Sequence, residues 1–276
     1  PAYFTSAQRQ ATKHAAEIAG LTPLETFDEP TAAALAYSRR EAQMKEEDGN
    51  ATEKRDLLIF DLGGGTFDVT VMEYGGAIDN VLATSGNSEL GGDDWDNALM
   101  THLAEVIEEE TGIYPLDNDE IGLSPELRLQ EKARQAKEDL SDAKEITINL
   151  PFLFPTDDGM FDFEYSLTRA EFEDVTRDLL DQVGDPVQDA IDNAADPNVS
   201  HKPDTFDKHD IDDVLLVGGS TRMPQIHEKV TDLLNQEPKA SINPDEVVAE
   251  GAAFKAGSHA GEVTGVTLLD VVPLSI

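Results

Sequence analysis

Eight consecutive residues, Asp61-Leu62-Gly63-Gly64-Gly65-Thr66-Phe67-Asp68, hold the densest chemistry in the chain. Glycine lets backbone N–H groups approach a ligand closely, and three in a row make a concave set of donors suited to phosphate oxygens. Thr66 adds a hydroxyl at the rim. Asp61 and Asp68 bracket the run, and a hairpin would bring their carboxylates back near one another. Hard oxygen donors beside such a cradle are what a hydrated Mg²⁺ requires. Taken singly, the two aspartates read better as turn and strand-end residues, and a glycine run alone is weak evidence. The full string is far more specific.

The elements that must position this turn follow from the flanking pattern. Leu57-Leu58-Ile59-Phe60 is a continuous apolar strand, which implies burial on both faces. Phe67 to Met72 alternates and pairs back as a hairpin. The same idea recurs downstream, where Val214-Leu215-Leu216-Val217 runs into Gly218-Gly219. Helices are expected over 5–19, capped by Thr5 or Ser6 with Ala7, Ala11, Ala15, Ile18 and Ala19 mostly on one face, and from Asp28-Glu29-Pro30 onward. Further helices are expected over 91–112 and 124–143, over 168–194 with a Thr168/Glu171 capping box, after Pro224, and over 246–257 behind Asn243-Pro244-Asp245. Strands are expected at 24–27, 81–84, 146–150 and 161–165. Residues 39–56 and 196–210 read as surface connections. The class is α/β.

Composition narrows the function. Fifty-seven Asp and Glu stand against 20 Lys and Arg, a net charge of −37 over 276 residues. Nucleic acid and anionic membrane surfaces are therefore unsuitable partners. The acids are spread over nearly every polar face, which fits either an ordinary solvated surface or adaptation to very high salt, where screening shortens the Debye length to a few ångströms. With 39% hydrophobic residues the composition is that of a folded globular protein. No apolar run approaches a membrane span, and no signal peptide is visible. The chain has no cysteine, so disulfides and thiol chemistry are excluded. Its six histidines are scattered and suggest no transition-metal site. Pro1 and the apolar end at Val271–Ile276 both look cut from something longer.

Seven strings in order, PAYFTSAQRQATKHA, EPTAAALAY, DLGGGTFDV, LGGDDWD, LVGGSTRMP, INPDEVVAEGAA and LLDVVPLS, resemble the nucleotide-binding domain of the seventy-kilodalton heat-shock chaperone family. The resemblance runs through the whole chain. It implies an actin-like, ribonuclease-H-like ATPase fold with an incomplete first lobe and a complete second lobe. The implied division is 1–56 for the remainder of the first lobe, 57–91 with 169–265 for the second-lobe base, 92–168 for its upper subdomain, and 266–276 for the interdomain linker and first strand of the substrate domain. The implied cofactors are ATP or ADP and Mg²⁺, with K⁺ a further candidate. The implied protein is a cytoplasmic, ATP-dependent chaperone. Its family's amino-terminal phosphate loop and catalytic lysine are absent from the sequence, so little or no hydrolysis is expected of this chain alone.

The resemblance also assigns residues. Gly63, Gly64, Gly65 and Thr66 match the second phosphate loop. Asp61 and Asp68 match the carboxylates that hold Mg²⁺ through water, and Glu29 the glutamate near the metal shell and attacking water. Gly218, Gly219, Ser220 and Arg222 match the adenosine-side loop, and Asp245 an acid near it. Lys137 and Ser141, one helical turn apart, match groups reaching ribose and base. Without the resemblance, Glu29 and Asp245 read as helix-start acids, and Lys137 and Ser141 as a solvent face. Two positions depart from the family: Arg134 stands where glutamate is usual, and Glu138 where arginine or an apolar residue is. Glu131 is a substitute candidate one turn earlier. Arg9 and Lys13 match the face that receives the linker and a J-domain co-chaperone; Glu25 nearby is commonly basic in bacterial members. A GrpE-type exchange factor on the second lobe and unfolded polypeptides, through the absent substrate domain, complete the implied partners. Trp95, where phenylalanine is usual, reads as core. A filament-forming relative, a small-molecule kinase of the same fold and a poorly folding relic are the rival readings. The linker-like LLD and the following VPLS argue against the first.

Overall fold

The computed structural model describes residues 1–47, 54–75, 79–116, 118, 121–240, 242–261 and 268–269. In chain order the elements are α1 (Ser6–Ile18), α2 (Glu29–Glu47), β1 (Arg55–Leu62), β2 (Phe67–Tyr74), β3 (Asp79–Asn87), α3 (Gly92–Thr111), α4 (Ser124–Asp142), β4 (Glu145–Thr156) and β5 (Gly159–Thr168). Then come α5 (Arg169–Val175), α6 (Arg177–Asp181), α7 (Gly184–Ala195), β6 (Asp213–Val217), α8 (Pro224–Leu234), α9 (Val247–His259) and β7 (Leu268–Leu269). Five strands form a mixed sheet in the order β6-β1-β2-β3-β7, and β4 with β5 forms a separate antiparallel pair. Among the described residues no helix is long and apolar enough to cross a membrane.

The sheet is covered on both faces, as the apolar run of β1 predicts. Leu57, Ile59, Met72, Tyr74, Leu215 and Val217 meet the alanines of α2 and Val247 of α9. Leu58, Phe60, Val69, Val71 and Val214 point the other way, into a core shared with α7. Consequently β2, read as alternating, is buried along its whole length, Asp68, Thr70 and Glu73 included. At the far edge of β1, buried Asp213 accepts from Tyr74 Oη and pairs with Arg55 at 3.0 Å and Lys239 at 2.9 Å. Helices α2 and α9 cross so closely that a Cβ on Gly251 would lie 1.8 Å from the Ala32 carbonyl oxygen.

A second layer stands beyond the sheet. Leu99, Leu103 and Ile107 of α3 face Leu129, Ala133, Ala136 and Leu140 of α4, and these pack on Ile148, Leu150 and Phe163. Trp95 is fully buried in that cluster, as expected. A bulge between Leu150 and Phe154 puts Phe152 at φ 51° and leaves its ring exposed.

Several expectations need correction. Residues 24–27 form no strand, because no neighbouring strand pairs with them. The connection expected at 39–56 is helical as far as Glu47; its centre, 48–53, lies outside the described residues. The helix expected at 168–194 breaks into α5, α6 and α7. Thr168 does cap α5, accepting from the Glu171 N–H at 3.2 Å, but the Glu171 carboxylate turns away to His102 and Tyr165. Asn243 serves α9 through its carbonyl, which accepts from the N–H groups of Glu246 and Val247. Helix α1 has its capping box at Thr5 and Gln8, yet none of its residues is buried, and Ile18 is 88% exposed. Leu268–Leu269 pairs in parallel with the start of β3; Asp270 and residues 271–276 lie outside the described residues.

Candidate functional site

Parallel pairing of β1 with β6 brings both glycine turns to the same end of the sheet, with Asp61 beside Val217. The first turn closes with the Gly63 N–H donating to the Thr66 carbonyl at 3.0 Å. Gly64 and Gly65 are exposed at its tip, and Thr66 is half-buried. The second turn needs its glycine. Gly218 has φ 87°, and a Cβ there would lie 2.3 Å from the Leu62 carbonyl oxygen and 3.0 Å from Asp61 Oδ1.

Asp61 and Asp68 are directly opposed across the hairpin, as the string suggested. Burial pushes the Asp61 carboxyl up to about 7, with Glu29 and Asp68 adding like-charge repulsion. Asp68 rises to about 6 for the same leading reason, although the Tyr3 N–H donates to it at 2.8 Å. Glu29, at the start of α2, pairs with the Pro1 ammonium at 3.1 Å. Glu29, Asp61 and Asp68 thus form one acidic group behind the first glycine turn. Among the described residues no three such side chains lie close enough to ligate a metal ion directly.

In front of the turn lies an open cleft of about 930 Å³. Gly64 and Asp93 line one end, Lys137 and Ser141 of α4 one wall, and Gly219, Ser220, Arg222 and Asp245 the other. Arg222 is fixed by Asp245, with Nε at 3.1 Å, and the pairing raises the guanidinium's affinity for its proton. Ser220 Oγ donates to the Gly63 carbonyl at 2.8 Å, so the two glycine turns are joined. Lys137 is not a loose cation: Nζ lies 2.8 Å from Asp96 Oδ1 and donates to the Gly92 carbonyl at 2.8 Å.

The two departures both reach this cleft. Arg134 Nε donates to Glu138 Oε1 at 3.2 Å, an i, i+4 pair along its rim. Glu131, the proposed substitute, does not line it. Of the residues singled out in the sequence, Gly64, Lys137, Ser141, Gly219, Ser220, Arg222 and Asp245 face the cleft. Glu29, Asp61, Gly63, Gly65, Thr66, Asp68 and Gly218 are not among its lining. Asp93, Asp96, Asp142, Thr221 and His227 line the cleft and were missed. The string LGGDDWD held Asp93 and Asp96, one turn apart at the start of α3, which was the available clue. Arg9 is no free surface charge: it pairs with Asp28 and donates to the carbonyls of Ala2 and Phe4.

A mixed sheet that delivers two joined glycine turns to one cleft, with paired carboxylates behind them, defines an α/β protein with its candidate site at one end of the sheet. The family model described as Hsp70 protein matches residues 1–276, and the chain belongs to the Hsp70 family. Membership implies the actin-like fold, with which the mixed α/β arrangement is consistent. The chain is 48% identical over all 276 residues to the chaperone protein DnaK of Halobacterium salinarum, of which it covers 40%. It is 47% identical over 276 residues to the chaperone protein dnaK of Cyanidioschyzon merolae, covering 42% of that protein. The chain thus spans about two fifths of the length of these relatives.

Proposed function

We propose that this chain is the nucleotide-binding part of an ATP-dependent protein-folding chaperone, with the phosphates at Gly63–Thr66 and the nucleoside in the cleft between α4 and the second glycine turn. The observation that carries this reading is the opposed Asp61–Asp68 pair behind a glycine turn that opens into a 930 Å³ cleft. The donor set fits a hydrated Mg²⁺: three hard carboxylates that make no direct ligand group, two of them raised chiefly by burial, with Glu29 adding like-charge repulsion to both. Bound through water by Asp61, Asp68 and Glu29, the ion would supply charge neutralisation to the phosphate oxygens.

The chain's own residues do the rest. Gly64 and Gly65 offer N–H groups to phosphate oxygens and Thr66 a hydroxyl, while the Gly63 N–H holds the turn closed on the Thr66 carbonyl. Glu29 orients the attacking water. Gly218 permits the close approach of the second turn, while Gly219, Ser220, Arg222 and Asp245 form the adenosine side opposite Lys137 and Ser141. Phosphoryl transfer relies on such positioning and charge more than on covalent chemistry. Opening and closing of two lobes, divided as 1–56 against 57–265 with 92–168 above, would be read by a substrate domain through the segment after 265. A J-domain partner at the Arg9 and Lys13 face, a GrpE-type exchange factor, unfolded polypeptides as clients, K⁺ as a second cation and a cytoplasmic location belong to the same proposal.

Calorimetric titration of MgADP into the chain in high KCl tests it. Saturable binding is expected, abolished by Asp61→Ala and by Gly219→Asp. Binding that survives both substitutions would remove the site assignment.

A further inference from the structure

A second hollow, of about 310 Å³, lies between the α5–α6 pair and α8, and none of its lining residues belongs to the cleft. Glu173, Asp174, Arg177, Glu228, Lys229 and Asp232 supply its charges. Both cations are taken: Arg177 pairs with Asp174, and Lys229 Nζ lies 2.9 Å from Asp181 Oδ1. Glu173, Glu228 and Asp232 form no ion pair among the described residues. Burial, and after it the Glu228 charge, hold the Glu173 carboxyl above its ordinary value, against the pull of Arg169. Acids alone make an ordinary solvated surface. Gln225 sets this one apart, because it lines the same hollow and is 5% exposed. Its Nε2 donates to Thr176 Oγ1 at 3.1 Å, and that hydroxyl donates to the Phe172 carbonyl at 2.8 Å. With its proton spent there, Thr176 can only accept from the amide, which fixes the orientation of Gln225. The other end of the amide, Oε1, is buried without a hydrogen-bond partner.

We propose that the hollow between α5–α6 and α8 is a binding site for a primary alkylammonium, whose N–H groups are accepted by Gln225 Oε1 and by the Glu173 and Glu228 carboxylates. A buried acceptor without a donor and unpaired carboxylates beside it lack the same thing, an N–H that carries positive charge. A primary ammonium has three such donors around one point and an apolar stem behind them. Ala170 and Leu180, also in the lining, are the surface for that stem. A bare metal ion suits the place less well, since among the described residues no three acidic or histidine side chains lie close enough to hold one. Free aliphatic amines and lysine side chains both carry this group. The site is separate from the nucleotide reading of the cleft and does not rest on it.

The test uses the full chain without nucleotide, in molar KCl, which screens loose attraction of amines to the net charge of −37. Putrescine and N-acetyl-lysine methylamide are titrated separately, and the Gln225 side-chain amide and the α8 backbone amides are followed by NMR. Saturable shifts at both are expected. Gln225→Met and Glu173→Gln should each weaken binding about fivefold or more, whereas Asp189→Asn, an exposed acid of α7 outside the hollow, should change it less than about twofold. Saturation by putrescine alone supports a free amine as the ligand, by the lysine derivative alone a side chain of a polypeptide, and by both the ammonium itself. Should Gln225→Met melt at a lower temperature than the unaltered chain, Glu173→Gln decides. Shifts that never saturate, or that Asp189→Asn weakens as much as Glu173→Gln does, are general attraction to an acidic surface and would overturn the site.

Discussion

Asp61 shows what burial does to one residue. Its carboxyl rises from an ordinary 3.8 to about 7, burial being the largest cause. The sign follows from proton linkage. Between about pH 4 and pH 7 the folded chain keeps a proton that the unfolded chain has lost, so this group's contribution to stability falls as pH rises through that window. Asp61→Asn should therefore raise the unfolding free energy at pH 8 by on the order of 2–4 kcal/mol, with little change at pH 4. Denaturant melts at the two pH values measure it, and equal effects at both would contradict the assignment. The same variant should lose MgADP binding, the pattern of a residue kept for function at a cost in stability. The sequence made the carboxylate pair legible because Asp61 and Asp68 bracket a turn, and bracketing residues of a hairpin must face each other. It did not make Asp96 legible: its partner Lys137 lies 41 positions away on another helix, and only tertiary packing brings them together.

Among the elements, the crossing of α2 and α9 is the most exacting. Gly251→Ala would drive a Cβ into the Ala32 backbone, 1.8 Å from its carbonyl oxygen. Backbone cannot swing aside as a side chain can, so a loss of about 3 kcal/mol is expected, read from the denaturation midpoint. A midpoint unchanged by that substitution would mean the helices cross less tightly than described. The strands and most helices were legible because their apolar periods are long. The break at Thr176 between α5 and α6 was not, since the residue types around it are those of a helix. The break before α7 was legible in Gly184 and Pro186, because Pro has no N–H to donate to the preceding turn, and it was overlooked. The absent strand at 24–27 was not legible, since an extended segment becomes a strand only when a partner lies beside it.

Across the whole molecule, the charge of −37 is the dominant fact. At low ionic strength the acids repel one another, and salt screens them. Thermal unfolding should shift upward by about 10 °C between dilute buffer and molar KCl, equivalent to about 6 kcal/mol for a chain of this size. A midpoint that is flat or falls with KCl would leave the acidic surface without a role in salt adaptation.

Helix α1 lies on this molecule without burying a residue in it. Its guanidinium tether, Arg9 to Asp28, Ala2 and Phe4, does the work that a hydrophobic face does elsewhere. Among the described residues α1 is therefore expected to open at a lower free energy than the five-stranded sheet. A protease given brief access to the native protein should cut first around 20–24, where Leu21 and Leu24 stand exposed beside the left-handed Gly20. It should release α1 while the five-stranded sheet stays intact, and Arg9→Ala should bring that first cut forward at an otherwise unaltered global melting point.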